Sequence, residues 1–403
     1  MTTGRGRVGK PRPNSWFIWL LAVSLLVHTS VGVARPMVSY RVLELGVSAS
    51  YLGVVSAMFA VVPLVVGITI GRWVDQYGPR RFQIVGAVML AVSGLGLGLL
   101  DRMAGIMAMF ALCGLAHLLM MVATQTTVAN ESDDDTIDRW FGYYTFVASI
   151  GQMLGPLIGG LVAGGVGGVD GTRAALLVGG GIAVLCVPLA VAIPSGVGRP
   201  RRVEGDAEGD ADAKPVAAIR SVLSTPGLTG SLLVSFIVIA TVDILTVYLP
   251  ALGEERGWSV GAVSALLVAR AAASTVSRIG IGWMVARVGR IRLLFLAVLI
   301  SGLAVVALPL AGSLPAAMVA MVVAGLALGL CQPLTMAWVA TETTPRARGR
   351  ALSVRISANR LGQVTVPAAA GLMAGFAGTA GVLGVVGSAV LATGVVVRRA
   401  DGR

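Results

Sequence analysis

Apolar runs long enough to cross a bilayer alternate with short charged breaks from one end of the chain to the other. Twelve are separable, at 15–36, 48–70, 82–100, 104–127, 142–165 and 174–194, then 228–250, 259–281, 292–311, 315–338, 352–374 and 379–397. They predict an all-α membrane protein of twelve transmembrane helices, numbered spans 1 to 12 below. An even number of spans puts both chain ends on one side. Breaks on that side carry Arg72, Arg80, Arg81, Arg139, Arg287, Arg290, Arg292, Arg346, Arg348 and Arg350, whereas the opposite breaks offer Arg41, Arg102, Arg173 and Arg256. Cations collect in cytoplasmic loops, so both termini are expected in the cytoplasm and the chain in the cell membrane as a multi-pass protein. Arg5, Arg7, Lys10 and Arg12 ahead of the first run resemble a signal peptide, but that run is long enough to span and is read as an uncleaved helix.

One break stands out. GRWVDQYGPRR, residues 71–81, packs Gly71, Arg72, Asp75, Gly78, Arg80 and Arg81 between two apolar runs. As charge alone it is a solvated, topology-setting turn. A shift of 211 residues then lays Gly71, Gly78 and Arg81 on Gly282, Gly289 and Arg292. The same shift lays Gly114-Leu115-Ala116 on Gly325-Leu326-Ala327, and Gly151-Gln152, Pro156 and Gly160 on Gly362-Gln363, Pro367 and Gly371. One offset over such a length means two copies of one unit, the parallel repeat found in one large class of secondary transporters. The expected layout is a tail at 1–14, a six-helix bundle at 15–194, a linker at 195–223, a second bundle at 224–397 and a tail at 398–403. The bundles would be related by a pseudo-two-fold along the membrane normal. The linker core, GRPRRVEGDAEGDADAKP, is too rich in Gly, Pro and charge to bury a core and is expected to be disordered. The acidic run at 132–135 reads as a solvated loop, with a cation or regulatory site as the alternative.

Composition agrees with a bilayer as solvent. Of 403 residues 56% are hydrophobic and 12% charged, with mean hydropathy +0.86. The net charge of +12 lies in short loops rather than on a nucleic-acid face, so no nucleic-acid partner is expected. Cys113, Cys186 and Cys331 sit in apolar runs without metal-ligand spacing, and His28 and His117 are the two histidines. No metal and no cofactor are predicted. The chain lacks a glycine-rich phosphate loop ending in Lys-Ser or Lys-Thr, and no nucleophile–base pair stands out, so an enzyme is not expected.

The loop Gly71-x3-Asp75-x2-Gly78-x-Arg80-Arg81 resembles the signature between helices 2 and 3 of the major facilitator superfamily. Its second copy runs from Gly282 through Gly289-Arg290, with Ala286 in place of Asp75. The resemblance implies a cytoplasmic gate in which Asp75 latches onto the start of span 11, near Arg350–Ser353, in the outward-open state. A helix N-terminus carries about half a positive charge and holds a carboxylate by ~0.3–1 kcal/mol. In span 5, Gly151-x3-Gly155-Pro156-x2-Gly159-Gly160 is similar to the motif of the family's drug/proton antiporter branch. The bland alternative is a glycine-rich packing face. The branch's arginine motif in span 4 has no counterpart, since that region reads CGLAHLLMMVATQTTVAN.

Ionisable groups inside spans are costly and mark the pathway. The candidate cavity set is His28, Arg35, Tyr144, Gln152, Asp243, Arg270, Gln332, Arg355, Asn359 and Gln363. Arg355, Asn359 and Gln363 follow a helical stripe. His28 and His117 also read as ordinary interior residues, Arg35 as an outer anchor, and Arg278 as a rim charge. Asp243 is expected to pair with Arg270 or Arg355 and to carry the coupling proton. The leading expectation is a monomeric secondary active transporter exporting a small organic solute by proton exchange through alternating access. The alternatives are transport of an organic anion gripped by the arginines, and a non-transporting sensor or scaffold.

Overall fold

Hydrocarbon offers no partner for backbone N–H and C=O groups, so a spanning chain must bond to itself. The computed structural model describes residues 15–132, 137–198, 227–343 and 345–401, and within them helices follow one another through short connections. Spans 1 to 6 are Ser15–Glu44, Ser50–Tyr77, Pro79–Leu99, Met103–Glu131, Ile137–Val166 and Gly168–Ala192. Spans 7 to 10 are Leu228–Glu255, Val260–Ile279 with a short continuation Ile281–Val288, Arg290–Ala307 and Leu314–Thr341. The last helix, Pro345–Asp401, breaks at Gly378, where φ 63° and ψ −174° fit no helix. Spans 11 and 12 lie on either side of that break, at 345–377 and 379–401. Eleven described stretches are long and apolar enough to cross a membrane; the Gly378 break divides the last of them into two.

Several helices outlast the runs that predicted them. Span 1 continues to Glu44, span 2 to Tyr77, and span 12 to Asp401, into the stretch expected to be a tail. Hydropathy marks where lipid ends, whereas a helix stops where its backbone turns. The expected N-terminal tail, residues 133–135 of the acidic run and most of the linker lie outside the described residues.

The internal repeat is visible in the backbone. Gly46, Gly78 and Gly167 have φ of 73°, 85° and 79°, and their counterparts Gly257, Gly289 and Gly378 have 66°, 85° and 63°. Each half packs in the same pattern: span 1 on 5, 2 on 4 and 3 on 6, then 7 on 11, 8 on 10 and 9 on 12.

The halves meet through spans 2 and 11, 5 and 8, and 1 and 7. At the end remote from the linker two junctions close the gap. Gly53 of span 2 abuts Pro367 and Gly371 of span 11, and Gly160 of span 5 abuts Ser264 of span 8. A β-carbon on either glycine would collide with the opposite half. The shift of 211 turns Gly53 into Ser264 and Gly160 into Gly371, so one junction is the copy of the other. Spans 4 and 10 make no extended packing contact with the opposite half. The space between the halves is therefore shut at the far end and open toward the linker end.

Candidate functional site

A cavity of about 320 Å³ lies between spans 1, 2, 4 and 5 of the first half and spans 7, 8 and 11 of the second. Helical spacing builds its walls. His28, Gly32 and Arg35 follow one stripe of span 1, Ile239, Val242, Asp243 and Thr246 one of span 7, and Ile356, Asn359, Arg360 and Gln363 one of span 11.

Asp243 is the anchor. It is 2% exposed, and a carboxylate so placed has to be paired and hydrogen-bonded. Its partner is Arg35, with Nη2 2.7 Å from Oδ1. Gln363 Nε2 donates to the other carboxylate oxygen at 2.8 Å. The expected pairing with Arg270 or Arg355 is therefore corrected. Arg355 lies two turns before Gln363, about 12 Å along the axis, and turns to span 10 instead. Its Nη2 donates to Gln332 Oε1 at 2.9 Å and Thr335 Oγ1 at 3.0 Å. Arg35, which the outer-anchor reading placed at the membrane edge, reaches across the two halves and lies over the Phe59 ring at 5.0 Å.

Arg270 forms no ion pair among the described residues, and its buried Nε has no partner. Arg360 donates to Gln363 Oε1 at 3.0 Å, with no carboxylate in contact. With Asp243 engaged by Arg35, two guanidiniums face the cavity without an ion pair of their own among the described residues. Apart from Arg35, the first-half wall carries no Arg, Lys, Asp or Glu. His28 Nδ1 lies 2.8 Å from the Ser24 carbonyl oxygen. His117 stands edge-on to it, ring centroids 5.3 Å apart, with both ring nitrogens buried and unpartnered.

Of the sequence-derived cavity set, His28, Arg35, Gln152, Asp243, Arg270, Asn359 and Gln363 line this space. Tyr144, Gln332 and Arg355 do not. Tyr144 packs behind His28, 6.3 Å between rings, and Gln332 holds Arg355. Arg360, Phe59 and His117 were missed as wall residues. For Arg360 the signal existed: it is three residues before Gln363, as much a helical neighbour as Asn359 at four.

The span 5 glycines divide their work. Gly151 and Gly155 press on span 1 at Leu25, His28, Thr29 and Gly32, Gly159 faces Val33 and Met37, and Gly160 makes the far-end junction; Pro156 lines the cavity. In the signature loop, Arg80 donates to the Ile193 and Val191 carbonyl oxygens at 2.5 and 2.8 Å, tying the loop to the end of span 6. Gly71 and Gly282 face open space, and Arg81 and Asp75 are exposed. Arg290 donates to Thr341 Oγ1 at 3.3 Å. The side chains at 345–350, 352 and 353, where the Asp75 latch is expected, lie outside the described ones.

A family model, Major Facilitator Superfamily, matches residues 20–260 and 232–402. Multidrug resistance protein 2 of Bacillus subtilis strain 168 is 28% identical over 148 residues, 37% of each chain. Multidrug resistance protein MdtG of Klebsiella pneumoniae strain 342 is 26% identical over 167 residues, 40% of each chain. The aligned segments thus span well under half of these relatives. Among solved structures, the nucleoside transporter NupG superposes with TM-score 0.77 at 13% identity, covering 97% of this chain and all of that one. A bacterial homolog of the human lysosomal transporter Spinster, inward-facing and unoccupied, gives 0.71 at 16% identity, covering 97% and 96%.

Proposed function

Because the chain belongs to the major facilitator superfamily, we propose that it is a secondary active transporter that moves a small organic anion by alternating access, with a proton at Asp243 as the coupling ion. The observation that carries this reading is the pair of guanidiniums, Arg270 and Arg360, that face the cavity with no carboxylate of their own. Guanidinium binds carboxylate or phosphate through parallel N–H donors, and burial strengthens the grip. The linker end is the cytoplasmic side in this reading, given its arginines. The bundles at 15–194 and 224–397 rock about the cavity, and closing the linker end while opening the Gly53 and Gly160 junctions exposes it to the other side.

The proton enters the same account. Ionised Asp243 occupies Arg35 and repels an incoming anion. A proton on Asp243 removes that repulsion and frees a third guanidinium. Proton and anion then favour each other's binding, and linkage makes the effect reciprocal. Partners that bind together travel together, so the expected coupling is symport.

A second reading, proton-exchange export of a drug, is favoured by the multidrug resistance relatives and by the span 5 motif. Resistance needs outward movement, and in that reading cargo and proton compete for Asp243.

Uptake of labelled aromatic and aliphatic carboxylates into liposomes holding the purified chain tests both. Faster anion entry with a proton gradient in the same direction, and at least ~100-fold loss in Arg270→Ala, are expected. Acceleration by an opposed proton gradient would favour the exchange reading. No carboxylate moving under either gradient would sink the anion reading.

A further inference from the structure

The two walls of the cavity offer opposite chemistry, and His28 sets the character of the first. A carbonyl oxygen only accepts, so the 2.8 Å contact with Ser24 O puts the imidazole hydrogen on Nδ1. In the neutral ring Nε2 is then a bare acceptor, and no described residue supplies it with a donor. The ring is held by span 5, because Gly151 and Gly155 press directly on His28 and its neighbours. Gln152, exposed and lining the cavity, stands on the same side. Across the cavity Arg270 and Arg360 present donors alone. Phe59, Met121, Ile239, Val242, Leu267 and Ile356 supply the apolar part of the lining.

We propose that His28 is a specificity-determining residue that accepts a hydrogen bond from the substrate, so the transported solute is bifunctional: an anionic group for Arg270 and Arg360, and a hydroxyl or amine donor for His28. This rests on the anion reading above. Such a solute holds the first half through both Arg35 and His28, whereas an anion without the donor reaches that half through Arg35 alone. The difference matters for movement as well as affinity. A ligand shifts a conformational equilibrium only through contacts that differ between the states, and contacts to a single half change little when the halves rotate. A donor-bearing anion is therefore carried faster than a plain one, which holds the first half by one contact fewer.

Three probes of matched shape separate these roles: benzoate, 4-hydroxybenzoate and 4-methoxybenzoate. The methoxy compound keeps the size of the hydroxy compound without its donor. With the full chain in liposomes under an inward proton gradient, 4-hydroxybenzoate uptake should exceed 4-methoxybenzoate uptake at least ~10-fold, the scale on which sites built around a substrate hydroxyl discriminate. His28→Phe should bring that ratio close to one. His28→Gln, whose amide oxygen also accepts, should keep part of it, which a purely structural role for the imidazole would not produce. A ratio that stays ~10-fold in either His28→Phe or His28→Ala, with wild-type uptake intact, overturns the inference and leaves the anion reading standing. Equal uptake of the hydroxy and methoxy probes by the wild type overturns it in the same way. If none of the three probes enters, the anion reading itself falls and this inference with it.

Discussion

At the same repeat positions the two halves of this protein hold different things. In the first half, Gly32 of span 1 faces Gly155 of span 5 so closely that a β-carbon on Gly155 would lie 2.5 Å from Gly32 Cα. The repeat turns that pair into Asp243 and Val366. Phe59 in the first half becomes Arg270 in the second, and Ser149 becomes Arg360. The first half thus spends these positions on backbone contact and an aromatic ring, and the second fills them with charge. Arg35 is the exception: its counterpart is Thr246, and its guanidinium crosses to Asp243. One duplicated frame has come to carry a neutral wall and an ionic wall, and only their meeting makes a site.

Removing the ion that joins the walls has the largest expected effect. Asp243→Ala leaves the half-buried Arg35 without a counter-charge, and breaking a largely buried pair in this way costs up to about 3–5 kcal/mol. Thermal unfolding in detergent should record the loss. Replacing both members, Arg35→Met with Asp243→Leu, should recover most of it, because well-packed apolar pairs often match buried ionic ones in stability. A double variant as unstable as the single one would mean that the pair does more than neutralise charge.

Next comes an exchange that makes the ionic wall resemble the neutral one. Arg270→Phe installs the residue that the first half carries at Phe59. It removes a half-buried guanidinium that forms no ion pair, so stability should hold or rise while anion transport falls ~100-fold. Equal losses of stability and transport would show that Arg270 is part of the frame.

Packing gives the third test. Gly155→Val installs the residue found at Val366 and should cost about 1–3 kcal/mol, since span 1 leaves it no room. Val366→Ala in the second half should cost about 0.5–1.5 kcal/mol, a cavity effect alone. If the two costs came out alike, the close approach of spans 1 and 5 would have no energetic weight.

Much of this frame was legible beforehand, because periodicity and a constant offset are local and arithmetic. Twelve apolar runs gave the spans, and Gly78 with its copy Gly289 gave one turn in each half, whereas the turns at Gly167 and Gly378 emerged only from the backbone. The cavity was only partly legible. Polar residues deep in spans 1, 7, 8 and 11 could be named, since lipid makes each of them conspicuous. Which carboxylate met which arginine could not, because Arg35 and Asp243 are far apart in sequence and meet through the packing of span 1 on span 7. Span ends misled as well: Arg35 looked like the outer edge of span 1 only because the apolar run stops near Pro36, about two turns before the helix does.

The signature loop supplies the smallest expected effect, and again one half differs from the other: Asp75 has Ala286 as its copy. With the linker end open, Asp75 is exposed, and the modest desolvation it still feels from the surrounding helix raises its carboxyl pKa above the ordinary value. Closing that end would bring a helix N-terminus to it and favour the ionised form by about 0.3–1 kcal/mol. Its pKa is then higher in the open state than in the closed one, so acid favours the linker-end-open form. Asp75→Ala should mimic acid, shifting the balance toward that form by roughly two- to fivefold. Alkylation of Ile356→Cys, a cavity-lining position 54% exposed in span 11, reports it, and Cys113, Cys186 and Cys331 are buried and give a low background. The wild type should label faster as pH falls, once corrected for thiolate content, and Asp75→Ala should label at one corrected rate throughout. Matching profiles for the two proteins would remove Asp75 from the gate and leave its half of the loop as bare of that role as Ala286.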